Sequence, residues 1–517
     1  MSRVAQAAKH ILKHIEFFSE HVIGMPLYRY QATPLHAIID SVLNQRGMEF
    51  LLVFPRQSGK NEAVAHLMVY LLNIMQPLGG NIVFGAIGDG VGRGLRRLEE
   101  RLDNEWNAGN WSRGARPTRR MLGKAAVVFL SSHPGAFSRG ETAHWLLVVD
   151  ELQDNDASHI EAVFEPMRAA NNATALYIGT VRFSSDALWQ KKLQLERLQA
   201  ADGRQRVWLV YPDQVGGDNA NYGRFLQGKI RQLGQSHPII QSEYFLKPID
   251  AEGGLFPPRR QRLMRGEHKR QAQPSKGKIY VATVDVGGQD EATTDPVAQL
   301  DNPARDYTVC HIFELDRSDY DAPGPTYRAV DVWVDHGSRH FQAVAGKPAL
   351  VHRLLAYLRS WNVSHIVADA TGVGEGLCDW LASSFGQDRV TQYKFSRLTK
   401  AQLGAGFLAV VETGRFQYWG EDAETPLSDG WWFWQQCGHC IYEIKPGGTW
   451  ERDLQWAVPA TAKVDTPAGL QPVHDDRLIS AALVSVYDEL VLEGVLRTGQ
   501  GKAAVIRGRD PLEGMEF

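Results

Sequence analysis

Leu51-Leu52-Val53-Phe54-Pro55-Arg56-Gln57-Ser58-Gly59-Lys60-Asn61-Glu62 decides how the first half of this chain folds. Leu51 to Phe54 is a short continuous apolar run, the mark of a strand covered on both faces. Pro55 ends the run, and Ser58-Gly59-Lys60 opens an apolar-periodic segment, Ala63 to Met75, that predicts a helix. A loop and helix N-terminus behind a buried strand can cradle phosphate. Backbone N–H groups point at the anion, the helix dipole favours negative charge, and a lysine adds a point charge. Arg56, Gln57, Ser58, Gly59, Lys60 and Asn61 are therefore candidate phosphate-binding residues. The usual phosphate-loop pattern has Gly where Phe54 stands and Ser or Thr where Asn61 stands. On this stretch alone, the plainer reading of a strand, turn and helix with an incidental Gly-Lys stays open.

A second anchor lies about ninety residues downstream, the distance at which an acidic strand becomes informative beside a phosphate loop. Trp145-Leu146-Leu147-Val148-Val149 ends in Asp150-Glu151. A buried strand that delivers two carboxylates at its C-terminal end puts them where ligands bind in open α/β sheets. In a nucleotide site Asp150 would hold the Mg²⁺ shell, and Glu151 would polarise water for attack on the γ-phosphate. Thr174–Thr180 predicts another short strand whose end, Gly179-Thr180, is placed to sense the γ-phosphate; a simple strand and turn is the alternative. Arg139, in the loop Ser138-Arg139-Gly140-Glu141, is a candidate for reaching phosphates in its own or a neighbouring subunit, against an ordinary surface salt bridge. Upstream, the Gln31 amide could read an adenine edge and the neighbouring tyrosines stack on it, against a polar loop between helices.

Composition bounds the rest. A chain of 517 residues is too long for one ordinary core, so two or three domains are expected. Hydrophobic residues at 44% and charged residues at 22% describe a globular protein rather than a disordered one. A net charge of −3 leaves no global nucleic-acid footprint, so any such surface is local. Arg93, Arg96, Arg97 and Arg101 on the predicted helix after the strand Asn81–Ile87, with Arg113, Arg116, Arg119 and Arg120 beyond it, form one candidate; interleaved acids make a solvated face the equal alternative. Four cysteines are too few for a disulfide framework and suit a reducing cytoplasm. The longest apolar runs, such as Leu67–Leu72, fall far short of a membrane span, and no signal-type segment is expected.

After Phe256-Pro257-Pro258 the chain turns basic through Arg259, Arg260, Arg262, Arg265, Lys269 and Arg270, and a domain boundary is expected there. Lys278–Gly288 then predicts a strand carrying Asp285 among apolar neighbours, an expensive place for a carboxylate unless a cation or metal pairs with it. Tyr307–Leu315 predicts its hairpin partner. Ser364–Ala370 predicts a further strand ending in Asp369, followed by a Gly-rich turn into a helix. Asp475 and Asp476, after His474, open a late helix, where helix capping competes with chemistry. Three separated carboxylate positions at one sheet edge could hold two Mg²⁺ or Mn²⁺ about 4 Å apart, the arrangement that cleaves phosphodiesters. Cys437-Gly438-His439-Cys440 has dithiol or half-zinc spacing, but the flanking Trp431–Trp434 and Ile441–Ile444 look like strands, so buried structural thiols are expected.

Together these residues resemble the large terminase subunit of tailed bacteriophages, from about Tyr30 to about Leu490. Phosphate loops of that family commonly lack the leading Gly, and Arg56-Gln57-Ser58-Gly59-Lys60 fits their form. The resemblance implies an N-terminal P-loop (ASCE-type) α/β ATPase domain, 1–255 with a lid or linker at 185–255. It implies a basic connector at 256–277, a C-terminal RNase H-like α/β nuclease at 278–492 and a flexible tail at 493–517. It implies Arg56 and Lys60 on phosphates, Asp150 on Mg²⁺, Glu151 as base and Gly179-Thr180 as coupling motif, with Asp285, Asp369, Asp475 and Asp476 as nuclease ligands and Asp476 favoured within the pair. The implied cofactors are ATP with Mg²⁺, and two Mg²⁺ or Mn²⁺ at the nuclease. The implied partners are double-stranded DNA, a portal protein, a small terminase subunit and further copies in a ring, with no membrane. The implied place is the host cytoplasm, transiently at the procapsid portal vertex and not in the mature virion. A DNA-repair helicase-nuclease and a non-catalytic structural DNA-binding protein are the alternatives.

Overall fold

The computed structural model describes residues 11–136, 138, 140–287, 307–335, 340–343, 346–445, 448–467 and 469–496. The chain divides into two compact units, 1–228 with 238–251, and 229–237 with 252–517.

In the first unit, β1 (Glu49–Val53), β2 (Gly80–Ala86), β3 (Trp111–Arg113), β4 (Arg119–Leu122), β5 (Ala125–Ser131), β6 (Leu146–Val149), β7 (Thr174–Gly179) and β8 (Val207–Leu209) form one sheet. Its order is β3-β4-β5-β2-β6-β7-β1-β8. From β5 to β8 every neighbouring pair is parallel, and β3 and β4 add an antiparallel edge. β7 separates β1 from β6, with Val53 in register with Gly179 and Val149 with Tyr177. The C-terminal ends of β1, β7 and β6 therefore lie side by side, where ligands of open α/β sheets bind. Leu51, Leu52, Val53 and Phe54 are fully buried, as a continuous apolar run requires. The helix Lys60–Met75 is buried around nearly its whole circumference, which is why its sequence has no polar stripe.

In the second unit, β9 (Glu252–Gly254) lies apart from the main sheet. That sheet comprises β10 (Tyr280–Asp285), β11 (Thr308–Asp316), β12 (Thr326–Asp335), β13 (His365–Asp369), β14 (Val390–Tyr393) and β15 (Phe416–Tyr418), in the order β14-β13-β10-β11-β12-β15. β10, β11 and β12 form an antiparallel meander, with β13 and β14 added in parallel beside β10. This topology does not repeat the first unit's. Residues of the basic stretch take part in the packing of this unit. Arg260 Nε donates to Glu412 at 2.7 Å, and Arg270 bonds Asp331 at 2.8 Å and Asp429 at 3.1 Å.

One expected element is corrected. Trp431–Trp434 is not a strand but part of the helix Asp429–His439, capped by Ser428, whose Oγ accepts the Trp431 N–H. Aromatic residues favour strands only weakly, and burial of Trp431, Phe433, Trp434 and Cys437 decides against it here. Phe433 stacks on Tyr418 with ring centroids 3.8 Å apart. Cys437 and Cys440 are both buried, and burial pushes both thiols up, away from the thiolate that redox or zinc chemistry needs.

A buried ion pair joins β12 and β15 to the last described helix, Val484–Leu492. Arg415, 2% exposed, donates Nη1 to Asp488 Oδ1 at 2.5 Å and Nη2 to Oδ2 at 2.8 Å, and Tyr327 donates its hydroxyl to Oδ1 at 2.8 Å. Arg415→Met leaves the Asp488 carboxylate buried without its cation and should cost about 3–5 kcal/mol. Urea unfolding of the variant checks this; a loss under about 1 kcal/mol, the range of an exposed pair, would contradict it.

Candidate functional site

The loop after β1 folds as an anion cradle because two of its residues take left-handed backbone angles, Gln57 at φ 60° and Gly59 at φ 84°. Its shape is held from behind. Tyr30 donates its hydroxyl to the Ser58 carbonyl at 2.8 Å, and Ser58 Oγ donates to the Pro55 carbonyl at 2.6 Å. Gln31, expected at an adenine edge, is instead committed at both ends of its amide. Oε1 accepts the Tyr28 N–H at 3.0 Å and Nε2 donates to the Gly59 carbonyl at 3.0 Å. A Cβ on Gly59 would fall 2.5 Å from that Nε2, so this glycine is required by close approach as well as by φ. Arg56 is held by Glu243 at 2.7 Å.

Lys60 opens the helix and is 8% exposed. Its Nζ lies 3.1 Å from Glu151 Oε1, so the strand ends of β1 and β6 bring lysine and acid together across β7. Glu151 sits in the left-handed region at φ 47°, which costs a non-glycine residue about 1–3 kcal/mol and marks a position held by its surroundings. Asp150 is 5% exposed and accepts the Glu151 N–H on Oδ1 at 2.9 Å. Burial raises the Asp150 carboxyl against the pull of Lys60, while at Glu151 the Lys60 ammonium, the Gln153 amide and Arg182 outweigh burial and keep it ionised.

Asp150 also lines a cavity of about 20 Å³ with Asn61, Arg93 and Arg97, room for one water-sized or ion-sized occupant. The Asn61 Oδ1 is buried there without a hydrogen-bond partner. An amide oxygen and a carboxylate are the oxygen donors a hard cation takes, although Arg93 and Arg97 line the same cavity and bring positive charge to it.

Sequence reasoning missed the residues that connect this acid pair to β7. Gln153 Nε2 donates to Glu151 Oε2 at 2.6 Å, and its Oε1 accepts the Thr180 N–H at 3.1 Å. Arg182 donates to the Gln153 carbonyl at 3.1 Å and to Asp154 at 2.6 Å. Nothing in the spacing of a Gln two positions after an acid signals this; only the register of β6 against β7 does. Gly179 has no room for a side chain, since a Cβ would lie 2.2 Å from both Gln153 Oε1 and Leu188 Cδ1. Gly179→Ala should therefore displace Gln153 and misplace Glu151, and in the ATPase that the sequence resemblance implies this lowers turnover about a hundredfold. Steady-state kinetics measures this, and a variant with unchanged kcat would show that the contact is irrelevant to turnover.

Five of the eight arginines of the candidate surface are in ion pairs, two of them sharing Glu62 and two sharing Glu99. Arg97 and Arg101 pair with Glu62 at 3.3 and 2.5 Å, Arg113 and Arg120 with Glu99 at 3.1 and 2.6 Å, and Arg116 with Glu141. Arg139 lies outside the described residues, as do 288–306 after Asp285 and the tail from 497.

In the second unit, Asp285 and Asp369 end neighbouring parallel strands. Val284 is in register with Ala368, so the next residues, the two aspartates, stand side by side. Asp369 is 7% exposed, its Oδ1 accepts the Thr371 N–H at 2.8 Å, and burial raises its carboxyl. The helix Asp476–Ala482 packs on β10 and β11: Ser480 Oγ donates to the carbonyls of Thr283 at 3.3 Å and Val309 at 3.1 Å. Asp475 occupies the N-cap position but makes no side-chain capping bond, so the capping reading fails for it; it faces Lys400 at 3.8 Å. Asp476 is 4% exposed. Among the described residues no group of three or more His, Cys, Asp or Glu is gathered closely enough to hold a metal ion. The register brings the strand ends that carry Asp285 and Asp369 together, and Asp475 and Asp476 stand at the start of a helix packed on β10.

No protein-family model matches the chain, and no curated protein matches it. Solved structures do. A large terminase from a thermophilic bacteriophage is 11% identical, with 90% of this chain and 99% of that chain covered and a TM-score of 0.43. The HK97 bacteriophage large terminase is 12% identical, with 92% and 99% covered and a TM-score of 0.38. The large terminase nuclease from thermophilic phage G20c, solved with bound cobalt, is 18% identical, with 45% and 96% covered and a TM-score of 0.30.

Proposed function

We propose that the chain is a viral DNA-packaging motor subunit of the large-terminase kind, an ATPase joined to a metal-dependent DNA endonuclease. The single observation that carries this is the meeting of Lys60, Asp150 and Glu151 at the ends of β1 and β6 in a chain whose other unit sets Asp285 beside Asp369.

In the first unit, the loop 57–60 and Lys60 hold the phosphates, and Asn61 and Asp150 hold Mg²⁺, which when bound neutralises charge on the phosphates. Glu151, oriented by the Gln153 amide at 2.6 Å, accepts the proton of a water whose oxygen attacks the γ-phosphorus. The bond to the β–γ bridging oxygen breaks, and its electron pair leaves with ADP. In the second unit, Asp285 and Asp369 would be the anchoring carboxylates for Mg²⁺ or Mn²⁺, with Asp476 favoured over Asp475 as the further ligand. Divalent ions at such a site activate water and stabilise the leaving oxygen. The domain limits, the role of Arg139, and the partnership with double-stranded DNA, portal, small subunit and further copies in a ring at the procapsid vertex in the host cytoplasm belong to this reading. Among the described residues no helix is long and apolar enough to cross a membrane.

The test is to measure both activities on one full-length preparation. ATP turnover that rises with added duplex DNA, together with Mn²⁺-dependent cleavage of supercoiled plasmid that EDTA abolishes, is expected. A folded chain that neither hydrolyses ATP nor nicks DNA would overturn the proposal.

A further inference from the structure

We propose that Gln153 is a positioning residue that ties Glu151 to the end of β7, so that a movement of Glu151 at the nucleotide is passed along the chain as far as Ile249. The inference rests on the ATPase reading above. One amide is committed at both ends: its N–H to Glu151 at 2.6 Å and its oxygen to the Thr180 amide at 3.1 Å. The residue is 8% exposed, and the missing side chain of Gly179 makes the space its oxygen occupies. Only an amide of this length supplies a donor to a carboxylate and an acceptor to a backbone N–H at once; a carboxylate lacks the donor and a hydroxyl lacks the reach.

From Thr180 the connection continues through further hydrogen bonds of the fold. Arg182 grips the Gln153 carbonyl and Asp154 at 3.1 and 2.6 Å. The Arg182 carbonyl accepts the Ile249 N–H at 3.0 Å, and the Ser184 N–H donates to the Ile249 carbonyl at 3.2 Å. Ile249 lies two residues before the first unit's last segment ends at 251. The switching event is a competition for one cation. Here the Lys60 ammonium is on Glu151 at 3.1 Å. A phosphate in the loop draws that ammonium away, and Glu151 is then held on one side only, by Gln153. Any turn of its carboxylate moves the amide that anchors Thr180. Two arrangements of one acid, each biased by a ligand, are the physical content of coupling.

The experiment uses the full chain, with adenosine 5′-(β,γ-imido)triphosphate and Mg²⁺ as the probe for hydrogen exchange and ATP for kinetics. Gln153→Glu keeps the length and the acceptor for Thr180 but turns a carboxylate on Glu151. Its kcat should fall about a hundredfold with KM nearly unchanged, while the Thr180 amide stays as protected as in the unsubstituted chain. Gln153→Ala should lose turnover to the same degree, expose the Thr180 amide, and abolish the nucleotide-dependent change in exchange at 182–184 and 247–249. A residue that merely filled space would tolerate Glu. Unchanged turnover in Gln153→Glu, or a nucleotide-responsive 182–184 segment in Gln153→Ala, overturns the proposal. Absence of ATP turnover in the unsubstituted chain overturns the ATPase reading and this proposal with it.

Discussion

Lys60→Ala is expected to lower ATP turnover about 10²–10³-fold, the size of losing one preorganised charge stabiliser in a water-poor site. The lysine has two duties in this geometry. It supplies the point charge at the mouth of the left-handed loop, and it holds Glu151 ionised at 3.1 Å. Its removal affects both phosphate binding and the base, so kcat and KM should change together. Stability should fall much less, because Glu151 keeps the Gln153 amide at 2.6 Å and stays 31% exposed at its side chain. Metal-dependent plasmid cleavage, proposed for the other unit's carboxylates, should persist. Turnover within about tenfold of the unsubstituted chain would remove Lys60 from the site, since a displaced phosphate ligand costs more than that.

Asp369→Asn should abolish metal-dependent cleavage, by about 10² or more, and leave DNA-stimulated ATP turnover intact. The substitution keeps shape and keeps the oxygen that accepts the Thr371 N–H at 2.8 Å. What it removes is a negative charge standing beside that of Asp285 at the ends of two parallel strands. Without metal, burial already works against that charge. The neutral amide relieves this cost, so the melting temperature of the metal-free variant should be equal or higher. Stabilisation with loss of function is the signature of a site residue rather than a structural one. Thermal unfolding and plasmid nicking on the same preparation read both. A variant that melts lower and still nicks would make Asp369 a structural acid and remove the anchor pair from the nuclease reading.

The strand–turn–helix at Leu51–Met75 and the acidic strand ending at Asp150-Glu151 were readable from the sequence because their signals are local. A continuous apolar run, a proline stop and a Gly-Lys helix start act within a dozen residues, and a doubly covered strand has no other pattern open to it. The same holds for β10 and β13, each a short apolar run with one carboxylate at its end. Trp431–Trp434 was misread because four aromatic residues carry no period of their own. The Ser428 cap and the packing of Phe433 on Tyr418, a partner close in sequence but on another element, made it a helix.

By itself, then, the sequence determined which residues could do chemistry: the lysine of the loop, the acid pair of β6, and the carboxylates at Asp285, Asp369, Asp475 and Asp476. The tertiary structure alone decided who meets whom. Placing β7 between β1 and β6 sets Lys60 against Glu151 and brings Gln153 to Thr180, a contact no spacing predicts. The parallel register of β10 and β13 makes neighbours of Asp285 and Asp369, which stand far apart in the chain. Whether a buried acid is ionised or raised, and whether an amide reads a ligand or props a loop, depends on charges and donors delivered from distant segments. That is why the Gln31 amide lies on the Gly59 carbonyl and the Gln153 amide between Glu151 and Thr180.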